Sequence, residues 1–378
     1  MRILARALAV GAALAVGPAA AESLHVAIAG DQSMADYVND VLAPMFEQAN
    51  GGVKVFVLGT GPGDAGSQNI YEKLTAQRIA GVENWDFDVI VIDQKVAGPM
   101  VQENLLAGYK NRISSGPLVT RDTATTALGT DVSGFVMPMF HAQTAIAYNP
   151  NLVQDVPGSY AELVAWVKQN PNKFGYSGIK RGTSGVGFVT GWLYAFGGDP
   201  EKLMRGPYDA MTKATWDKPL DDLKEFNKNV VITPSDAATL DQLGRGEIAM
   251  GPVWADLFYT RKSQRQLSPD MRLKLLAPGM PSQPMYYAIP AKAANAKMAE
   301  KFVALASSPE VQAEGVVKRF HWYPGIDARH LEGKLDAATW SQFFSDITPD
   351  DLSAKRKPFP LSQYLADILE SYQKKVEN

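Results

Sequence analysis

The unbroken apolar run Val89-Ile90-Val91-Ile92, held between Asp88 and Asp93, constrains the fold of this chain more than any other stretch. Four consecutive β-branched residues leave no face for solvent, so the run predicts a strand buried on both sides, as in a parallel sheet covered by helices. The sequence before it has the matching rhythm. Leu24, Val26 and Ile28 alternate as a strand ending at Gly30, and Met34, Tyr37, Val38, Val41, Leu42 and Met45 recur at helical spacing. Ser33 is the expected N-cap, Pro44 a kink or break, and Asn50-Gly51-Gly52 a stop. Val53, Val55 and Val57 form a second strand, followed by a glycine-rich loop and a helix over about 70–79. Strand, helix, strand, helix, strand means a parallel α/β sheet, and such sheets gather ligands at the carboxyl ends of their strands. Those ends carry Asp31-Gln32, Thr60 to Ser67, and Asp93-Gln94.

The N-terminus predicts the compartment. Residues 1–21 hold Arg2 and Arg6, an apolar stretch and Ala19-Ala20-Ala21, the pattern of a Sec-type signal peptide, with the mature chain starting near Glu22 and free in the periplasm. No later run reaches the length of a membrane helix. The absence of cysteine rules out disulfides and lipid attachment through a thiol. Without Arg2 and Arg6, 35 basic side chains face 40 acidic ones, a balance that argues against nucleic acid as a partner.

The middle of the chain opens with "SGFVMPMFHAQTAIAYNPNL", an extended passage too long for one ordinary strand. A helix follows, in which Ser159 and Glu162 have capping-box spacing. "GTSGVGFVTGWLYAFGGD" is another, with Thr183 and Ser184 at its N-cap and Gly197-Gly198 at its end. "GEIAMGPVW", "MRLKLLAPGM" and "MYYAIP" are strands, and Ser308-Pro309 starts a further helix. The last stretch, through "SQYLADILESYQKK", is helical.

Four segments in this order, "DFDVIVIDQKV", "FVMPMFHAQTAIAYN", "GEIAMGPVWADLF" and "YYAIPAKAANAKMAEKFVALASSPEVQ" followed by "WYPG", resemble the family 1 extracellular solute-binding proteins of ABC importers. "VKQNPNKFGY" with "GTSGVGFVTGWLYAFGG" is most similar to the branch that includes thiamine and polyamine receptors. The resemblance implies a two-lobed periplasmic-binding-protein type II fold, each lobe a mostly parallel sheet flanked by helices. Lobe 1 would take residues 22–138 and 284–320, and lobe 2 residues 139–283 and 321–378. It also implies a monomeric receptor, without cofactor, that closes over a small-molecule ligand and hands it to a permease in the inner membrane. Crossovers between the lobes would fall near 137–147, 283–290 and 322–325.

Under that reading the cleft is lined by Asp31, Gln32, Thr60, Ser67, Asp93, Gln94, Gln143, Thr183, Ser184, Trp192, Trp254, Asp256, Tyr286, Trp322 and Tyr323. This polar and aromatic set favours a neutral, hydroxyl-rich solute such as a carbohydrate or polyol, although Asp31, Asp93 and Asp256 could equally hold a cation. Trp254 with Asp256 is similar to the pocket of polyamine receptors. Those relatives, however, carry tryptophan and aspartate where Gln283-Pro284-Met285 stands, and a glutamate near Thr183 to Phe188. Lys180 and Arg181 keep an anionic solute open. The tandem Tyr286 and Tyr287 resemble an iron-binding pair, but on a strand they point to opposite faces, and His25, His141, His321 and His330 are scattered, so no metal is expected. Trp192, at helical spacing with Phe188 and Phe196, has core packing as its competing role. The remaining rival is an exported NAD-dependent oxidoreductase, because Gly61 to Gly66 matches G-x-G-x-x-G between a strand and a helix. The motif sits on the second strand instead of the first, and no hydrolase or P-loop signature accompanies it.

Overall fold

A computed structural model describes residues 23–377 apart from 62, 122 and 123, so the signal peptide expected over 1–21 lies outside the described residues. Thirteen strands are present among them. They are β1 (Ser23–Ala29), β2 (Lys54–Gly61), β3 (Val89–Asp93), β4 (Thr126–Ala127), β5 (Thr130–Asp131), β6 (Val136–Tyr148), β7 (Phe174–Tyr176), β8 (Val230–Ile232), β9 (Met250–Trp254), β10 (Arg272–Lys274), β11 (Met280–Ala288), β12 (Tyr323–Pro324) and β13 (Arg356–Lys357). The large sheet runs β2-β1-β3-β11-β6-β9-β7-β8. Its two ends are separate parallel sets, β2-β1-β3 and β9-β7-β8, joined through the antiparallel pair β11 and β6.

The β3 run is fully buried, as its composition requires. Helix Gly63–Ile79 is longer than the periodicity alone indicates, because it starts inside the glycine loop. There Gly66 lies so close to the end of β2 that a Cβ would stand 2.1 Å from the Gly61 carbonyl oxygen and 3.1 Å from Ala29 Cα. The glycine pattern of this loop therefore has a packing cause. Asp31, not Ser33, caps the first helix, accepting from the Met34 amide. The helix does not break at Pro44. A widened turn over Val38–Leu42 precedes the proline and accommodates the position where it can offer no amide hydrogen.

The passage expected to exceed one strand is one strand. β6 runs for 13 residues because its first part pairs with β11 and its last part with β9 and β10, so it spans both halves of the molecule. β11 makes the return crossing, pairing with β3 at Met285–Ala288 and with β13 at Met280–Pro281. β12 adds a third strand at the crossing, with Tyr323 opposite His141. The C-terminal helix Ser362–Tyr372 packs against the helix Thr183–Phe196, and Phe343 lies on Tyr259, so the end of the chain stays with the β9-β7-β8 half.

Candidate functional site

Between the two parallel sets, the crossing strands present two faces of different character. Register opposes Gln143 to Ser282, Ala142 to Gln283, His141 to Pro284 and Phe140 to Met285. Alternation therefore puts Phe140, Ala142, Gln283 and Met285 on one face and His141, Gln143, Ser282 and Pro284 on the other. On the first face Ala142 and Gln283 keep partial exposure, whereas all four residues of the second are buried. That partial exposure makes the first face the candidate floor of a cleft between the two parallel sets.

One wall is the carboxyl end of β3. Asp93, opposite Met285, caps helix Gln94–Gln102 by accepting from the amides of Lys95 at 2.7 Å and Val96 at 3.3 Å, and its own amide donates to Ser67 Oγ at 3.0 Å. Its Oδ2 and the Oε1 of Gln94 are buried without a partner. Burial, then the neighbouring Asp64 carboxylate, pushes the Asp93 carboxyl up to about 6. Lys95 pairs with Asp64 and so neutralises that rim charge. Asp31 and Gln32 are exposed, Asp31 bonded to Ser33 and Gln32 to Asp36, while the Thr60 hydroxyl donates to the Ile28 and Gly66 carbonyls and ties the strand ends together.

The opposite wall is the end of β9. Trp254 pairs with Thr144 in the sheet, and its indole N–H donates to Thr183 Oγ1 at 2.8 Å. The helix that follows carries Asp256 in its first turn, where desolvation raises its carboxyl to about 6, with Trp322 as a hydrogen-bonding neighbour, and leaves Oδ1 without a partner. Trp322 stacks on Phe140 of the floor, with ring centroids 3.8 Å apart, and on Phe320 at 4.5 Å. Phe320 in turn meets Tyr37 of the first helix edge-on, so this aromatic row connects the two halves along one side of the cleft.

Of the residues singled out by sequence, Trp254 meets Thr183, Trp322 meets Phe140 and Asp256, and Asp93 lies opposite Met285 with Gln94 following it, so these stand at strand ends and helix starts beside the crossing strands. Asp31, Gln32 and Thr60 likewise stand at a strand end or helix start. Others do not join them. Trp192 is core: its indole donates to the Pro219 carbonyl and its ring packs on Phe226 and Phe196. Gln143, Tyr286 and Tyr323 are buried on the far face of the crossing strands, because Tyr286 and Ser282 share a side of β11 and Tyr323 shares a side with His141. Ser67 acts only through Asp93. Ser184 is buried too, donating to Asp236 Oδ1 at 2.6 Å and to the Pro252 carbonyl, and the N-cap of its helix is Gly182, without a side-chain cap. Neither tyrosine of the tandem pair lines the floor. Tyr287 lies in the core near Tyr37 and Tyr109, which argues against their use as an iron-binding pair. No group of three metal-ligating side chains occurs among the described residues. Sequence reasoning missed Phe140, Gln283, Met285 and Asp64. The alternation within "FHAQ" and "SQPM" was the available signal for the first three, and the glycine loop concealed the fourth.

Residues 42–328, well over half the chain, match the family model described as bacterial extracellular solute-binding protein, and the chain belongs to that family. It is accordingly an extracytoplasmic solute-binding receptor of the ABC-transporter type, not an enzyme. Among solved structures it is similar to an extracellular solute-binding protein from Bordetella parapertussis, at 16% identity and TM-score 0.72, covering 94% of this chain and 99% of that one. The spermidine/putrescine ABC transporter substrate-binding protein PotD from Streptococcus pneumoniae aligns at 15% identity and TM-score 0.65 over 94% and 99%. The maltose-binding protein MalE from Listeria monocytogenes, in complex with maltose, aligns at 16% and 0.65 over 93% and 91%. These likenesses define the two-lobed fold. Curated proteins provide no match.

Proposed function

We propose that the chain captures a small organic cation bearing amine donors and delivers it to an inner-membrane ABC permease. The observation that carries this reading is the polarity of the unpartnered atoms around the floor. Among the described residues Asp93 Oδ2, Gln94 Oε1 and Asp256 Oδ1 are buried acceptors without a donor, one carboxylate follows β3 and the other follows β9, and Trp322 bonds Asp256 two residues after Trp254. A buried carboxylate oxygen left without a donor is costly, and an ammonium group with aromatic neighbours offsets that cost through charge and cation–π contact. The polyol preference drawn from composition weakens for the same reason, although hydroxyl donors would also satisfy these acceptors and the polyol remains the second reading. Lobe boundaries near 138–139, 283–284 and 320–321 accompany the proposal. A solute that touches both walls favours the closed state by its differential affinity, and the permease reads closure.

Thermal-shift titrations with putrescine, spermidine and thiamine against maltose, glucose and sorbitol test the reading. At 100 times its dissociation constant a true ligand stabilises by about 2.7 kcal/mol. Stabilisation by amines alone supports the proposal, and stabilisation by sugars or polyols alone replaces it with the second reading.

A further inference from the structure

The buried face of the crossing strands holds a second polar cluster that the cleft does not use. Four strands contribute to it: His141 and Gln143 from β6, Ser282 from β11, Tyr323 from β12 and Arg356 from β13, each no more than 5% exposed. Arg356 stands beside Met280, on the same side of the sheet as Ser282, and its Nε donates to Gln143 Oε1 at 3.0 Å. Both terminal guanidinium nitrogens, Nη1 and Nη2, are nevertheless buried without a partner among the described residues, and the guanidinium carbon lies 5.5 Å from the Tyr323 ring centre. His141 Nε2 accepts from Arg121 Nε at 3.3 Å, which leaves the ring proton on Nδ1, and Nδ1 has no partner either. Ser282 Oγ is the fourth such atom. All four can donate a hydrogen.

The charges do not balance. Arg121 is saturated by the carbonyls of Pro324, Gly325 and Ile326 and by Asp327, and Asp327 also accepts from Thr120 and Arg329. Among the described residues no carboxylate lies within salt-bridge distance of Arg356. Desolvating a guanidinium without a counter-charge is strongly unfavourable, and a water molecule would accept at most two of the four donors while bringing no charge.

We propose that this cluster is a binding site for one small monovalent anion of halide size, held by Arg356 Nη1 and Nη2, His141 Nδ1 and Ser282 Oγ. A halide-sized ion is the occupant proposed because every contributing side chain is buried and each of the four unpartnered atoms can donate a hydrogen bond. Since the donors come from β6, β11 and β13, the anion clips the C-terminal segment onto the strands that cross between the lobes. The site is independent of whichever solute the cleft takes.

The test uses the mature chain exchanged into sodium gluconate, with melting temperature followed against chloride, bromide and sulfate at constant ionic strength. Chloride and bromide should raise it saturably, on the order of 5 °C at high occupancy, while sulfate does not. A crystal soaked in bromide should show anomalous density at hydrogen-bonding distance from Arg356. Arg356→Gln should abolish the halide response, and Ser282→Ala should weaken it in a protein that still folds. Equal melting in chloride and gluconate, or anomalous scattering absent from the cluster of the unmodified protein, overturns the proposal. So does a halide response that survives in Arg356→Gln or is matched by sulfate. Should Arg356→Gln not fold, the bromide map and the Ser282→Ala titration decide.

Discussion

Replacing Asp93 by asparagine should make the empty receptor more stable at neutral pH. The carboxyl is buried, and its rise from 3.8 to about 6 corresponds to roughly 3 kcal/mol of penalty for ionising it in the folded chain. The sign follows from linkage. Because the folded state binds the proton more tightly than the unfolded state, this contribution to stability is complete below about pH 3.8, declines as pH rises, and is lost by about pH 6 and above. Asparagine keeps the cap, since its side-chain oxygen can still accept from the Lys95 and Val96 amides, but gives up about 0.5–1 kcal/mol of charge interaction with the helix N-terminus. A net gain of about 2 kcal/mol is therefore expected at pH 8, shrinking to nothing or reversing at pH 4. Urea unfolding of the unliganded protein at both pH values, with equal slopes, measures it. A variant that is no more stable than the parent at pH 8, or whose gain is the same at pH 4, would refute the argument that desolvation governs this carboxyl.

Three further outcomes follow from the geometry. If the solute is a cation, its affinity should fall as pH drops through about 6, by up to about tenfold per unit for each of Asp93 and Asp256 as these protonate, whereas a polyol should show a shallow profile in the same calorimetric titration. Trp192→Ala should cost about 3–5 kcal/mol in urea unfolding, because it empties the space between Phe196 and Phe226, yet leave the dissociation constant of the folded protein unchanged. Gly66→Ala should destabilise by more than about 2 kcal/mol, since a Cβ at 2.1 Å from the Gly61 oxygen forces the strand and helix apart; stability within about 0.5 kcal/mol of the parent would show that the loop has more room than its geometry indicates.

The parallel sheet was legible because β-branched runs and helical spacing are local properties, and Val89–Ile92 needs no tertiary information to be read as a central strand. The full length of β6 was not, since a 13-residue strand arises only when two different partners share it end to end. The site divides on the same principle. Asp93, Trp254 and Asp256 could be singled out from sequence because they stand at strand ends, where ligands gather in an α/β sheet. Trp192 was misplaced because a helical tryptophan among aromatics carries no mark of which side faces solvent. Arg121 and Arg356 gave no local sign at all, being brought to the hinge from a loop and from a two-residue strand near the C-terminus.

Sorting by face also bears on how such a receptor chooses its solute. At the crossing, one residue step along β6 separates Phe140 on the cleft floor from His141 on the buried side, and one step along β11 separates Gln283 from Ser282. Arg356 reaches Gln143 and Arg121 reaches His141, both on the buried side of this crossing, while Tyr286 of the same side senses Arg121 and Asp93 alike. A shift of one residue in the β6 register would bring His141 and Gln143 to the other face and change the polarity it presents. If the proposed cation reading holds, selectivity for charge depends on the register of two strands as well as on single side chains. A variant with one residue inserted into β6 after Phe140, if it folds, should lose amine binding by moving the floor as a whole while Asp93 and Asp256 stay in place.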